Sequence, residues 1–319
     1  MTVSVLFGQQ IDSLDVLVDY ARFCEQRELR LWTGQSLMLE PHAALAAVAG
    51  RGVSVDVGLS VGVAPLRTPF DAMTQARTVA ALMGRPVSAG YGMGTLSMAQ
   101  ALLGRPLTAP ARYTADYLHQ LRALREPDAL PADQRPALRL YPLAAPAVEI
   151  GCGVLRPRMA KLAGGVADFV VTWLTPLDHL TGTLLPELDN GAADAGRKRP
   201  RVVSIVQCAV ARADRNPVRL ASLGCGMHLT QPHYAGMLRQ AGVDVTGDRA
   251  GDLRAAIRSG LFVYGSAEQI ADTVIEYHRK GVDEVVLNTA SVGLEHGSSA
   301  ALDDIEQVLE AVERKSPPE

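Results

Sequence analysis

The sequence predicts an α/β protein of the (β/α)8 TIM-barrel class, a closed parallel barrel with insertions after strands 4 and 7. Short β-rich runs alternate with segments of helical period along all 319 residues, the pattern of parallel strands joined by crossover helices. Several of those runs are continuous apolar stretches, as expected of strands covered on both faces. With 48% hydrophobic residues, the chain can also bury a large core, and a barrel of this length commonly forms one domain. A single domain over residues 1–319 is therefore expected, with a doubly wound open sheet as the alternative topology.

Eight strands read off in order: Val3 to Phe7, Leu29 to Trp32, Val53 to Val61, Val87 to Gly90, Val148 to Gly151, Phe169 to Thr172, Val202 to Ala209 and Glu284 to Asn288. Between the first two, Leu14, Leu17, Val18 and Ala21 recur at i, i+3, i+4 and i+7, one face of a helix. Ala72, Met73, Ala76, Val79, Ala80 and Met83 make a second apolar face, and Leu302, Ile305, Leu309 and Val312 a third near the end of the chain. Before the last strand, Ile270, Val274 and Tyr277 form another. Ser266 stands there as an N-cap, Gln269 at the capping-box position and Gly281 as the stop. The connections from Gly90 to Val148 and from Ala209 to Glu284 are longer than βα units need and carry helical patterns of their own. Arg125 to Leu140 and Leu188 to Arg201 read as solvent loops.

A formal charge of −3 with scattered Lys and Arg gives no basic footprint for nucleic acid. The start MTVSVLFGQQ has no basic segment, apolar run or cleavage site of an export signal, and every apolar run is too short to span a bilayer. A cytoplasmic protein without membrane contact is expected. Cys24, Cys152, Cys208 and Cys225 lie far apart, without C-x-x-C pairing or a nearby histidine at ligand spacing, so they read as reduced thiols and no metal site is expected.

In a barrel, functional residues gather where strands exit into βα loops. The third strand exits as Gly58 to Pro65, the fourth as Gly90-Tyr91-Gly92-Met93-Gly94-Thr95 and the fifth as Gly151 to Arg158. Glycines there allow a flat ring or a phosphate to approach the backbone, or simply make tight turns. Pro157 opens a helix after the fifth strand, and its N-terminus beside Arg156 and Arg158 suits an anion. The G-x-G-x-x-G dinucleotide spacing is absent. The sixth exit places Thr172, Trp173 and Thr175 at the rim, where Trp173 either walls a ring or fills the barrel top. Gln35 follows the second strand and offers hydrogen bonds without being a proton source near neutral pH. Gly58-Leu59-Ser60-Val61-Gly62 matches the letters of a nucleophile elbow, but the next helix opens too late, near Pro69, for the required strand-to-helix turn. The seven histidines show no metal spacing, and His179, just past the sixth strand, is the best placed to face a pocket.

These residues resemble the luciferase-like monooxygenase superfamily, whose members use FMN or the deazaflavin coenzyme F420. The likeness is carried by GLSVGVAPLRTPFDAMTQARTVAALMGRPVSAGYGMG from Gly58, PRMAKLAGGVADFVVTW from Pro157, LTQPHYAGMLRQAG from Leu229 and VYGSAEQIADTVIEYHRKGVDEVVLN from Val263, in that order. The resemblance implies a cofactor ring at Ser60 and Val61, which correspond to the family's non-prolyl cis peptide, and at Gly92, Met93, Gly94 and Thr95. It implies a phosphate wrapped by Gly151, Cys152, Gly153 and Val154, with Thr172, Trp173 and Thr175 adjoining. Relatives often carry histidine where Gln35 stands, and some an acid where Thr95 stands. Tyr91 or His179, or substrate and water, would then supply a proton. The implied activity is F420-dependent hydride transfer to a C=N or C=C bond of a small molecule or peptide, as in natural-product tailoring. An FMN-dependent monooxygenase fed by a separate reductase, or a flavin-binding barrel without turnover, are the alternatives. The family also implies a homodimer.

Overall fold

The computed structural model describes residues 1–129 and 136–316; part of the expected Arg125–Leu140 loop lies outside them. In chain order the elements begin with β1 (Thr2–Phe7), α1 (Leu14–Gln26), β2 (Leu31–Thr33), α2 (Pro41–Ala49), β3 (Val57–Val63), α3 (Pro69–Met83) and β4 (Val87–Gly92). The first insertion holds α4 (Leu96–Leu103) and α5 (Pro110–Arg125), followed by β5 (Val148–Gly153), α6 (Pro157–Val166) and β6 (Phe169–Trp173). A short turn α7 (Leu177–His179) runs through a π-helical stretch into α8 (Leu185–Asp194), and β7 (Arg201–Val210) follows. The second insertion contains α9 (Pro217–Gly224), α10 (Gly226–Leu229), α11 (Pro232–Gln240), α12 (Arg249–Arg258) and β8 (Phe262–Gly265). The chain then forms α13 (Ala267–Arg279), β9 (Glu284–Asn288), α14 (Ala290–His296) and α15 (Ser298–Lys315).

The strand order β6-β5-β4-β3-β2-β1-β9-β7, closed by a further β6–β7 pairing, is that of a (β/α)8 barrel. The open-sheet alternative is excluded. The eight strands expected from sequence are the barrel strands, with β2 and β3 each beginning and ending somewhat later than their apolar runs suggest. β8 was not foreseen: its four residues pair in parallel only with the end of β7, from Gln207↔Phe262 to Val210↔Gly265, and lie within the long second insertion. No helix among the described residues is long and apolar enough to cross a membrane.

The chain divides into two compact units. In the unit of Gln10–Val171 and Glu187–Pro200, the rings of Trp32 and Phe169 meet edge to face at 5.6 Å. Glycines clear the space they fill. A Cβ on Gly58 would stand 2.3 Å from Trp32, one on Gly151 2.5 Å from Phe169, and one on Gly90 2.4 Å from the Leu59 carbonyl oxygen. These strand-exit glycines are thus explained by core packing. At the amino end of β6, Asp168 accepts from Arg125 and from the Ile150 N–H at 2.9 Å. Burial opposes the charge, but the Arg125 hydrogen bond and its companions hold the carboxyl below its ordinary range.

Much of the expected Leu188–Arg201 loop is helix. Leu188 and Ala192 are buried, and Gly191 lies so close to α6 that an added Cβ would sit 1.8 Å from the Lys161 carbonyl oxygen. The glycine that reads as a helix breaker is there for close helix contact.

In the other unit, of Met1–Gln9, Thr172–Pro186 and Arg201–Glu319, buried Glu284 accepts from Ser4 Oγ at 2.5 Å and pairs with Arg201. Fully buried Asp304, on α15, accepts the Val210 N–H at 2.8 Å and an Arg215 Nη1–H at 2.5 Å, pinning the helix to the end of β7. The Ser266–Gln269 capping box forms as expected, and α13 buries Ile270, Val274 and Tyr277.

Candidate active site

Side chains alternate along a strand, so one step further along the Gly90 and Gly151 face come Gly92 and Gly153. Both turn toward Val61: a Cβ on Gly92 would lie 2.8 Å from Val61 Cγ2, and one on Gly153 3.7 Å from Val61 Cγ1. The Ser60–Val61 peptide is cis, as the resemblance led one to expect. Both residues are half-buried, and Ser60 Oγ is buried without a hydrogen-bond partner among the described residues. Val61, Gly92 and Gly153 are therefore brought together.

Gln35 is bound into the β3 exit. Its N–H donates to the Val61 carbonyl at 3.2 Å, its Oε1 accepts the Val63 N–H at 3.3 Å and an Arg67 Nη2–H at 3.2 Å, and its Nε2 donates to the Ser36 carbonyl at 2.9 Å. Arg67, whose side chain is 6% exposed, also reaches Glu40 Oε1 at 3.2 Å and stands 3.4 Å from His42 Nδ1. His42 Nδ1 is 2.8 Å from Glu40 Oε1. Burial would raise the Glu40 pKa, but the His42 hydrogen bond, the Ala43 N–H and the Arg67 charge lower it further. Gln35 thus holds the β3 exit in place, its carboxamide oxygen already occupied twice. In the sequence it stood as a catalytic candidate; its hydrogen bonds give it a positioning role.

Five other candidates have side-chain surroundings of their own. Tyr91, between Gly90 and Gly92, faces the opposite side: it is 1% exposed, its hydroxyl donates to the Ala72 carbonyl at 3.3 Å, and burial pushes its pKa up. Cys152 lies on the reverse face from Gly151 and Gly153, fully buried, its thiol pushed up to about 12 by burial. Thr172, on the reverse face from Phe169, Val171 and Trp173, donates to Ser204 Oγ at 2.9 Å. Gly151 is committed to the Phe169 ring. Thr95 is the N-cap of α4, accepting the Met98 N–H at 3.2 Å, a role that calls for no acidity.

Met93 is half-buried and Gly94 exposed, the latter at φ 67°. The Val154 N–H donates to the Val171 carbonyl at 2.9 Å. Arg156 and Arg158 are exposed, flanking Pro157 at the first turn of α6. In the second unit, the Thr175 hydroxyl donates to the Trp173 carbonyl at 3.3 Å. His179 is half-buried, with Nε2 unpartnered among the described residues and its pKa lowered by burial. Among the described residues no His, Cys, Asp and Glu stand together as a metal site.

Two groups escaped the sequence. Arg67 and Glu40 carried no motif, and only their positions after β3 and β2 hinted at the site. No pattern in the sequence marks His228, whose ring stands 5.3 Å from that of Trp173.

The chain matches the luciferase-like monooxygenase family over residues 2–284 and belongs to that family. Comparison with curated protein sequences gives no match. Among solved structures it is similar to an F420-dependent secondary alcohol dehydrogenase in complex with an F420–acetone adduct, with TM-score 0.74, 16% identity and 98% of each chain covered. It is similar also to the coenzyme F420 dependent tetrahydromethanopterin reductase of Methanopyrus kandleri, with TM-score 0.71, 15% identity and coverage of 97% of this chain and 99% of that one. A third is the oxygenating constituent of 3,6-diketocamphane monooxygenase from Pseudomonas putida in complex with FMN, with TM-score 0.72, 16% identity and coverage of 99% and 98%.

Proposed function

We propose that the protein is a deazaflavin-dependent oxidoreductase that uses coenzyme F420 to reduce a C=N or C=C bond in a small molecule or peptide. The observation that carries this reading is the floor formed by Val61 between Gly92 and Gly153, with the unpartnered Ser60 Oγ beside it. Missing side chains at Gly92 and Gly153 clear room for a flat ring, and an orphaned buried hydroxyl calls for a polar partner. When bound, the deazaflavin would supply the hydride.

The residues around this floor orient rather than exchange protons. Gln35 and Arg67 fix the β3 exit, and Tyr91 and Thr95 are spoken for by Ala72 and Met98. Gly153 and Val154 lead into the α6 N-terminus, where Arg156 and Arg158 would hold the cofactor phosphate.

The test is a parallel titration of the purified protein with F420 and with FMN. F420 should bind more tightly, and replacing Arg156 and Arg158 together by Ala should weaken it by about tenfold or more. Full affinity in that variant overturns the phosphate assignment. Tighter FMN binding with oxygen consumption overturns the F420 assignment and favours a monooxygenase.

A further inference from the structure

The second insertion encloses a cavity of about 400 Å³ among α10, α11, α12 and the turn that joins α11 to α12. Its lining residues all come from one segment, Gly226 to Leu253, within one unit, and none belongs to a barrel strand. The cavity lies on the side of α10 turned away from Trp173. Gly226, Leu229 and Thr230, at i, i+3 and i+4, line it, whereas the His228 ring points the other way, to Trp173 at the end of β6.

The floor is apolar and the mouth cationic. Leu229, Ala235, Val245 and Leu253 are buried, while Arg239 and Arg249 line the cavity from exposed positions. Arg239 Nε donates to the Val245 carbonyl at 2.7 Å, and Arg249 Nη2 donates to Ser222 Oγ at 3.0 Å. Both acceptors are neutral, so these bonds hold the two guanidinium forks in place without cancelling their charge. A Cβ on Gly226 would stand 3.8 Å from Arg249 Nη2, which sets that fork against the α10 side of the cavity. The one acidic lining residue, buried Asp252, accepts the Thr246 and Gly247 N–H groups at 2.7 and 3.0 Å. Asp248, beside Arg249 in the chain, accepts the Gly251 N–H at 2.9 Å as the cap of α12.

Two arginines against one aspartate leave the lining with a single net positive charge. Offered as planar forks, that charge suits one carboxylate better than a phosphate dianion or a neutral head. The buried floor calls for an apolar body behind the carboxylate. A volume near the lower end of ordinary ligand pockets admits roughly a dozen non-hydrogen atoms. We propose that this cavity is a binding site for a small amphipathic monocarboxylate, sharing no residue with the floor of Val61, Gly92 and Gly153. The site does not depend on which cofactor the barrel takes.

The experiment is calorimetric titration of the full chain with 4-phenylbutyrate and with 4-phenylbutyramide, the same body with an uncharged head. Both are run in the parent protein and in Arg239→Met, Arg249→Met and Ala235→Phe, with thermal melting to show that each variant is folded. The carboxylate should bind the parent about tenfold more tightly than the amide, as a charge-assisted hydrogen bond dictates. Arg239→Met and Arg249→Met should each weaken the carboxylate by about fivefold or more and leave the amide within about twofold. Raising salt from about 0.02 M to about 0.5 M should weaken the carboxylate alone. Ala235→Phe fills the cavity and should remove both ligands, and saturating F420 or FMN should leave carboxylate affinity within about twofold. No carboxylate binding, equal affinity for the amide, or full carboxylate affinity in both arginine variants overturns the proposal. So does full binding in a folded Ala235→Phe, or displacement of the carboxylate by F420 or FMN. If Ala235→Phe does not fold, the two arginine variants, at exposed positions, decide the question.

Discussion

Replacing Arg67 by Met tests whether the network behind the β3 exit sets its stability and shape. Methionine keeps most of the aliphatic volume and removes the guanidinium, which donates a hydrogen bond to Gln35 at 3.2 Å and forms an ion pair with Glu40 at 3.2 Å. Breaking a fully buried ion pair from one side costs about 3–5 kcal/mol. Glu40 is 36% exposed and keeps the Ala43 N–H and His42, so solvent offsets part of that loss, and about 2–3 kcal/mol is expected. Urea unfolding followed by circular dichroism should show this as a midpoint lowered by about 1 M. Arg67→Lys should recover about half, since one ammonium does not reproduce a fork that reaches two acceptors. Gln35→Leu combined with Arg67→Met should be non-additive by about 1 kcal/mol, because both act on one carboxamide oxygen. A loss below about 0.5 kcal/mol, or strict additivity of the pair, refutes the network.

Three further outcomes follow from the packing and the buried ionisable groups. Alanine in place of glycine in a helix interior usually stabilises by about 1 kcal/mol; Gly191→Ala should instead destabilise by about 2 kcal/mol or more, because the Cβ would meet the Lys161 backbone, and a neutral or raised melting temperature contradicts the α6–α8 contact. All four cysteines are buried, and burial pushes Cys152, Cys208 and Cys225 up to about 12 and Cys24 higher; a thiol reagent at pH 8 should find them unreactive until denaturant is added, and rapid labelling of the folded protein contradicts their burial. For His228 the folded pKa lies below the unfolded value, so the unfolded chain takes up the proton first and stability falls as pH drops from 6.5 toward about 4. Asp168, also depressed, contributes stability above its unfolded value of 3.8 and loses it at lower pH. His228→Gln should flatten the loss between pH 6.5 and 4 while leaving the more acidic stage; urea midpoints measured across that range decide it.

Much of the barrel was legible because its strands are continuous apolar runs, whose burial is a local property. β8 was not, since four residues inside a long insertion cannot be told from a turn without their partner Gln207–Val210. The helix at 185–194 was hidden for a related reason: Gly191 breaks a helix by propensity and joins two by proximity, and only Lys161 distinguishes the two. Among the candidate site residues, the β4 and β5 exits were marked by their glycines, and the cis peptide of Ser60 and Val61 by family likeness. The facing of Tyr91, Cys152 and Thr172 is contained in the two-residue period started from Gly90, Gly151 and Phe169. Arg67 and His228 act through partners far along the chain, and no local pattern encodes such meetings.

Trp32, Phe169 and the glycines at 58, 90 and 151 amount to a single interlocking choice. Neither ring can be exchanged for a smaller one without opening a void, and Gly58 and Gly151 cannot acquire even a methyl group while the rings stay. Substitutions there must come in matched sets, such as Trp32→Leu with Gly58→Ala. Redesign of specificity therefore has its freedom in the loops, because the stopper beneath them admits only coordinated change.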